Sequence, residues 1–345
     1  MTAHEEPAPS GTPYAEFVAA LPKAELHVHH VGSASRRIVS ELAERHPGRV
    51  PSEPDALRSF YTFRDFSHFI EVYLAVVDLV REPEDVRLLT YEVARDMAGQ
   101  NIRYAELTCT PYTNVRAGIP IEAFVEAVED ARVAAERDHG VRLRWIWDVP
   151  GEFGVPAADA TVSYLDVAPP TLLGFGLGGP EVGVPRPQFR PHFERAKALG
   201  LHSVPHAGET TGPETVWAAL DDLGAERIGH GTSSVQDGAL LERLAERRVP
   251  LEICPTSNIA TRAVARLEEH PIKKMYAAGV LVTVNSDDPP MFGTTLNREY
   301  EIAADLLELD QSGIADLARN AVNASFMSAQ EKVDLLAEID RVARR

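Results

Sequence analysis

The chain has 345 residues, and its composition of 44% hydrophobic and 25% charged residues is that of a globular protein with a large core. Acidic residues outnumber basic ones by 52 to 34, and the net charge of −18 argues against a nucleic-acid or membrane surface and favours a small-molecule partner. No signal peptide or membrane-length apolar run is apparent, and both cysteines lie in apolar strand-like segments, so we expect a reduced, cytoplasmic protein; whether it forms a homo-oligomer stays open.

Residues 1–13 are polar, acidic and rich in proline, which predicts a flexible tail. We expect residues 14–345 to form a single domain. Residues 54–100 follow the first predicted strand and show only helical periodicity, with aromatic and branched residues at spacings of three and four. Most of these side chains should pack in the core. An insertion at this point of a barrel nevertheless lies at its functional rim, so we predict that 54–100 forms a helical lid.

Strand-like and helix-like segments alternate along the rest of the chain. We predict strands over 25–31, 103–110, 142–149, 171–177, 202–207, 226–230, 250–254 and 279–286. We predict helices over 14–20, 36–44, 120–138, 157–166, 187–199, 213–223, 236–247 and 259–278, with further helices in 297–345. Eight strand–helix units favour a closed (β/α)8 TIM barrel. The alternative is an open doubly wound sheet, but no Gly-x-Gly-x-x-Gly motif opens a helix here.

A pair of histidines lies on the first predicted strand, in the segment Glu25-Leu-His27-Val-His29-His-Val31-Gly32. Side chains along a strand alternate between its faces, so His27 and His29 point the same way. Two imidazoles in this arrangement can bind one divalent metal ion. Such a short pattern is also typical of half-buried surface histidines, so the metal site depends on residues further along the chain.

Three later segments each end a predicted strand and carry metal-ligand or acid/base side chains: His206-Ala-Gly-Glu209, Gly229-His230-Gly231 and Ser286-Asp-Asp-Pro289. In a barrel these strand ends meet at one face. Three imidazoles and a carboxylate suit zinc, with iron as the alternative, and a coordinated water in the open position would have its pKa lowered toward about 7. We predict four metal ligands: His27, His29, His206 and Asp287.

Three further residues near these ligands are candidates for acid/base chemistry. Glu209 is a candidate proton donor, although it could instead compensate charge at the start of the next helix. His230 could orient the attacking hydroxide or stabilise developing charge, and its structural alternative is a hydrogen-bonded core histidine. Asp288 could accept a proton or bind a polar ring atom, but it reaches the site together with Asp287 only if the strand ends between them, which Pro289 and Pro290 favour.

These motifs, together with Cys254-Pro-Thr-Ser-Asn258 and the opening Leu21-Pro-Lys-Ala-Glu-Leu-His27, resemble the adenosine deaminase family of metal-dependent barrel hydrolases over about residues 21–300. The resemblance implies zinc at the four ligands above. It implies that Glu209 protonates the purine nitrogen beside the amino-bearing carbon and that His230 positions the attacking hydroxide. It also implies that Asp288 contacts the imidazole edge of the purine and that Gly179 offers its backbone N–H.

The chain departs from the family where the ribose of adenosine would lie. Members that act on adenosine resemble His-x-His-Leu-Asp-Gly here, and the Asp binds the 5′ hydroxyl, whereas this chain has Val31. Arg36 and Arg37 follow closely, which suits a bulkier or anionic 5′ substituent; the alternative is a neutral change compensated by water. The segment is similar to the branch of the family that deaminates 6-aminodeoxyfutalosine, whose 5′ extension is a carboxyphenyl ketone.

We therefore expect a zinc-dependent aminohydrolase that acts on a purine nucleoside, 6-aminodeoxyfutalosine, in menaquinone biosynthesis. Adenosine deaminase is the first alternative and adenine deaminase the second. A catalytically silent, nucleoside-binding barrel is a different class of protein, and the presence of Glu209 with all four ligand positions argues against it. A metal-dependent esterase or amidase on the same barrel is a further alternative, which the purine dependence of turnover would distinguish.

Overall fold

The computed structural model describes residues 13–344, so the predicted flexible tail, apart from Pro13, lies outside the described residues. Eight parallel strands are paired in the order in which they follow one another along the chain. They are β1 (Lys23–His29), β2 (Ile102–Cys109), β3 (Arg142–Pro150), β4 (Leu172–Gly178), β5 (His202–Ala207), β6 (Ile228–His230), β7 (Leu251–Ile253) and β8 (Val282–Val284). All eight coincide with predicted strands.

The last strand returns to the first just beyond its end. Val28 and Asp287 form a parallel bridge. The N–H of His29 donates to the carbonyl of Asp287 at 3.0 Å, and the N–H of Asp287 donates to the carbonyl of His27 at 3.1 Å. These bonds bring β1 and the end of β8 together, and the predicted TIM barrel is confirmed.

Helices surround the sheet. Those within the described part of the chain are α1 (Ala15–Ala20), α2 (Arg36–Arg45), α3 (Pro54–Phe60), α4 (Phe66–Val77), α5 (Pro83–Gly99), α6 (Pro111–Arg116), α7 (Ile121–His139), α8 (Gly154–Tyr164), α9 (Arg190–Ala198), α10 (Pro213–Asp221), α11 (Gly238–Arg247), α12 (Pro255–Ala260), α13 (Ile272–Ala277), α14 (Pro289–Phe292), α15 (Leu296–Leu307), α16 (Gln311–Ala324) and α17 (Ala329–Ala343). None of them has the length and apolar character that a membrane crossing requires.

Two helices of the insertion after β1, α4 and α5, lie at different places on the barrel. Asp65 caps α4 by accepting a hydrogen bond from the N–H of His68 at 2.8 Å, and α4 then crosses the C-terminal mouth of the barrel. The longer α5 packs against α7 and β2 on the outside of the barrel, as an ordinary barrel helix does. Of the predicted lid over 54–100, it is α4 that reaches the mouth.

The prediction of one helix over 259–278 is wrong. The chain instead forms α12 and α13, joined by an irregular segment. Arg262 lies in the left-handed region at φ 62°, and Pro271 disfavours helical backbone at His270. The segment has helical periodicity, but these two positions interrupt the helix, and His270 comes into contact with Asn258.

Candidate active site

The strand ends bring all the predicted metal ligands together. The Nε2 atoms of His27 and His29 lie 3.4 and 3.1 Å from Oδ1 of Asp287. Potential ligand atoms cluster within 4.8 Å of one another in two groups that share Asp287; the groups are His27, His206, His230 and Asp287, and His29, Asp287 and Asp288. His230 therefore belongs to the same cluster as the predicted ligands His27, His206 and Asp287. The positions of these residues in the sequence do not indicate this.

Asp287 reaches the cluster because the backbone leaves the strand before it. Strand β8 ends at Val284, and Asp287 has a φ of 65°, a region that Asp tolerates better than most residues. Ser257 donates its hydroxyl to Oδ2 of Asp287 at 2.6 Å, which fixes the carboxylate. This turn also aims Asp288 inward, as the two prolines suggested. A side chain at Gly32 would overlap Asp288, so glycine is required there.

The imidazoles of the cluster are suited to a metal ion. Nε2 of His27 and Nδ1 of His206 are buried and have no hydrogen-bond partner among the described residues. Such atoms are destabilising unless a ligand satisfies them. Burial, together with the neighbouring His27 and His230, holds the pKa of His206 well below its usual range, so its imidazole is neutral and can coordinate. The imidazoles of His27 and His206 and the carboxylate of Asp287 supply nitrogen and oxygen donors that fit a divalent metal ion.

A buried ionic network beneath the cluster orients His27. Nδ1 of His27 donates to Glu252 at 2.8 Å, which leaves the Nε2 lone pair free to face the cluster. Glu252 also accepts from Nε of Arg227 at 2.6 Å, and Nη2 of Arg227 donates to Glu106 at 2.5 Å. Tyr104 donates to the same Glu106 at 2.9 Å. The sequence analysis missed this network, although the alternation of charged residues within apolar strands was a signal for it.

Glu209 faces the cluster from the turn after β5. Its Oε1 accepts a hydrogen bond from Thr261 at 3.1 Å, and its Oε2 lies 3.6 Å from Nε2 of His230. Burial raises the pKa of Glu209 to about 8, and the charges of Asp287 and Glu181 act in the same direction. The carboxyl group is therefore protonated at neutral pH and can donate a proton. Its side chain bonds Thr261 across the mouth, which does not fit a role in compensating charge at α10.

A clamp that the sequence analysis missed holds the turn that carries both His206 and Glu209. The buried carboxylate of Glu181 accepts from the N–H of Glu209 at 3.1 Å, from the N–H of Thr211 at 3.1 Å and from the Thr211 hydroxyl. Nearby, the Arg186 guanidinium donates to the carbonyl of His206 at 2.9 Å. Glu181 follows the end of β4 by three residues, and no local pattern in the sequence indicates that its carboxylate reaches the turn after β5.

The cavity above the cluster is apolar on one side and acidic on the other. The helix α4 contributes Phe66, Phe69, Ile70, Tyr73 and Leu74. The end of β3 and the segments that follow β2 and β3 contribute Thr110, Thr113, Asp148, Pro150 and Glu152. Gly179, Glu209, His230 and Asp288 also line it. Asp148 and Glu152 were not expected; Asp148 is buried and accepts from Thr110 at 2.6 Å.

The two residues predicted to contact a 5′ substituent are not among the described residues that line this cavity. Val31 is buried and directly precedes Gly32, which Asp288 approaches closely, and Arg36 lies on the first turn of α2. Arg37 forms an ion pair with Glu92 at 2.7 Å. Contact of Val31 or Arg36 with the substrate therefore stays a prediction.

The chain is similar to known proteins along almost its whole length. The family model described as Adenosine deaminase matches residues 22–342. A relative from Streptomyces avermitilis named aminodeoxyfutalosine deaminase is 64% identical over 337 residues, which cover 96% of this chain and 94% of the relative. The crystal structure of adenine deaminase from Arthrobacter aurescens superposes with a TM-score of 0.87 at 33% identity, covering 94% of this chain and 100% of that one. An amidohydrolase from Burkholderia ambifaria with bound Zn has a TM-score of 0.88 at 26% identity, covering 97% of this chain and 96% of that one.

Proposed function

This chain belongs to the adenosine deaminase family, and we propose that it deaminates 6-aminodeoxyfutalosine by hydrolysis. The observation that carries the choice of substrate is the apolar Val31 where members acting on adenosine have an Asp. The 64% identical relative bears the name of the same activity. The expected product is the corresponding 6-oxopurine nucleoside, and ammonia is released.

We propose that His27, His29, His206 and Asp287 bind zinc. Bound there, zinc acts as a Lewis acid that makes water nucleophilic at neutral pH. The other residues then act on the purine. Glu209 donates its proton to the ring nitrogen beside C6, which makes that carbon electrophilic, and water adds to it. One proton of the water passes to the amino nitrogen, which leaves as ammonia when the bond between C6 and the amino group breaks, and the other proton returns Glu209 to its protonated form.

Three groups hold the ring and the attacking water in this proposal. His230 lines the cavity and lies between Glu209 and Asp287, where its Nε2–H can donate to the attacking oxygen. Asp288 contacts the imidazole edge of the purine, and Gly179 donates its backbone N–H to the opposite edge. Gly179 lines the cavity and has a φ of 75°, a left-handed conformation that favours glycine.

The residues that line the cavity support a 5′ substituent with an aromatic group. The aromatic wall of α4 offers apolar contact to the phenyl ketone of 6-aminodeoxyfutalosine. None of the described residues that line the cavity is a lysine or arginine, and Asp148 and Glu152 make its far side acidic. The distal carboxylate of the substrate should therefore lie outside the lining, at the rim; Arg36 is the cation that we propose for it, and Val31 the apolar neighbour of the extension.

The test is a comparison of ammonia release from four purines: 6-aminodeoxyfutalosine, adenosine, 5′-deoxyadenosine and adenine. We expect kcat/KM for 6-aminodeoxyfutalosine to exceed that for adenosine by at least about tenfold, or ~1.4 kcal/mol of transition-state discrimination. A preference for adenosine would instead support adenosine deaminase as the activity. A preference for adenine would favour the activity named for the Arthrobacter aurescens structure. Absence of turnover on all four purines would refute the proposed deaminase reaction.

A further inference from the structure

His230 can take part in the reaction only if the correct ring nitrogen carries its proton. A neutral imidazole has one N–H and one lone pair, and the group bonded to the rear nitrogen decides which nitrogen faces the site as a donor. In this chain, Nε2 of His230 faces Glu209 and Asp287, and Nδ1 faces Asn258 at 3.0 Å. The orientation of the Asn258 amide therefore decides whether His230 is a donor toward the substrate.

The orientation of Asn258 is in turn decided by His270. Oδ1 of Asn258 lies 3.1 Å from Nε2 of His270, so that oxygen accepts if Nε2 carries the His270 proton. It must carry it, because the other nitrogen of His270, Nδ1, accepts a hydrogen bond from the backbone N–H of Ile272 at 3.2 Å. A backbone N–H can only donate, so this end of the chain of bonds has a fixed polarity.

Each step then follows from the one before. His270 donates from Nε2 to the amide oxygen of Asn258, the amide N–H of Asn258 donates to Nδ1 of His230, and His230 is left with its proton on Nε2. All three side chains are buried, with 5%, 0% and 1% of their surface exposed for His270, Asn258 and His230, so water does not compete for these bonds. Burial also lowers the pKa of His270 to about 4, so the ring that sets the polarity of these bonds is neutral.

The fold is arranged to make this chain of bonds possible. Asn258 lies on α12, and His270 lies at the end of the irregular segment that separates α12 from α13. A continuous helix would place residues 258 and 270 more than three turns apart, and their side chains could not meet. The N–H of Val264 donates to the carbonyl of Asn258 at 2.8 Å and closes the segment back on itself.

We propose that Asn258 and His270 are positioning residues that hold His230 as the Nε2–H tautomer, so that it donates to the oxygen attacking the substrate. This inference deepens the proposed function, because it rests on a reaction in which His230 faces that oxygen. The tautomer itself depends only on the hydrogen bonds and can be measured without turnover.

The sharpest test is Asn258→Asp in the metal-loaded enzyme. The side chain keeps its size and still accepts from His270, but it replaces the donor facing His230 with an acceptor. Nδ1 of His230 must then become protonated, either as the opposite tautomer or as an imidazolium. Loss of the tautomer-fixing group in a Ser-His-Asp triad lowers kcat by about 10⁴-fold, so we expect kcat to fall by at least about 10²-fold here while KM changes by less than about threefold.

The spectroscopic measurement is ¹⁵N NMR of the histidine side chains, with His230 assigned by its absence in His230→Gln. In the wild-type protein we expect Nδ1 of His230 to be unprotonated and Nε2 protonated, and in Asn258→Asp we expect Nδ1 to be protonated. Asn285→Asp is the control for burying a carboxylate in the barrel. Oδ1 of Asn285 accepts from the backbone N–H groups of Leu26 and His27, its amide donates to Thr283, and it has no hydrogen bond to His230. It should leave the His230 resonances unchanged.

His270→Phe provides a second, independent variant in case the buried aspartate prevents folding. It leaves the Asn258 amide free to turn, so His230 should show a mixture of tautomers and kcat should fall by about tenfold. The proposal is overturned if wild-type His230 is protonated at Nδ1, or if its tautomer is unchanged in both Asn258→Asp and His270→Phe. A shifted tautomer in an enzyme that shows no deaminase activity would instead refute the proposed function and leave the chain of bonds intact.

Discussion

Replacing Glu209 with Gln isolates the proton that this side chain is proposed to deliver. Gln has the same size and keeps an oxygen that can accept from Thr261, which lies 3.1 Å from Oε1 of Glu209. Burial raises the pKa of Glu209 to about 8, so at pH 7 both side chains are neutral and the folded protein should change little in stability. What the variant lacks is a transferable proton directed at the purine ring.

The expected loss follows from the role of a general acid. Such a group contributes about 10²–10⁴-fold to the rate, which corresponds to about 2.7–5.4 kcal/mol of transition-state stabilisation. We expect kcat to fall by at least about 10²-fold, with metal content and the substrate dissociation constant near wild-type values. The assay is steady-state ammonia release on the metal-loaded protein, with metal content measured on the same sample and stability measured by thermal unfolding.

Glu214→Gln is the matched control, because Glu214 lies on the same loop and helix start but is exposed and bonds the N–H of Gly212. It should turn over at the wild-type rate. A decrease of less than about threefold for Glu209→Gln would make Glu209 a structural residue and remove it as the proton donor.

Four further predictions concern the metal, the substrate and the stability of the fold. His206→Ala should lose bound metal and activity together, and normal metal content with normal turnover would refute the ligand assignment. Val31→Asp should shift the kcat/KM ratio toward adenosine, and an unmoved ratio would argue against the 5′-extension hypothesis. Arg227→Met should lower the free energy of unfolding in urea by about 3–5 kcal/mol, because it leaves two buried glutamates without their cation; a loss below about 1 kcal/mol would show that they are solvated or protonated. Burial raises the pKa of Glu299 from 4.5 to about 7, so its contribution to the free energy of unfolding is complete below pH 4.5 and is lost as the pH rises through about 7. The melting temperature of Glu299→Gln should therefore rise relative to that of the wild type between pH 5 and 8, and a difference in melting temperature that does not change with pH would contradict the raised pKa.

The barrel and the identity of most of its candidate catalytic residues follow from local sequence patterns. Alternation of strand-like and helix-like segments predicts eight parallel strands, because each apolar strand needs a helix to cover it. The two-residue period of a strand places His27 and His29 on one side. Once the barrel is predicted, His206, Glu209 and Asp287 must come to one face, because parallel strands end at the same rim.

Tertiary structure decided what lies around those residues. Helical periodicity continues through 259–278, yet the segment breaks so that His270 can reach Asn258, a contact that no local propensity encodes. The links from Glu252 to His27 and from Glu181 to the Glu209 turn join residues 225 and 28 positions apart in sequence. Such pairings depend on the register of the closed sheet and on the course of its loops.

At the substrate end of the cavity, too, the sequence predicted the chemistry but not the surrounding side chains. Val31 was predicted because it stands where members acting on adenosine have an Asp, and Arg36 because it follows closely in sequence. The lining is formed by α4, by the end of β3 and by the segments after β2 and β3, which bring in Asp148 and Glu152. Residue type and spacing determined which groups carry the chemistry, because those groups are tied to strand ends. Which side chains surround them depended on how distant loops pack over the barrel mouth, where backbone direction is set by long-range contacts and by single positions such as Asp287 with a positive φ.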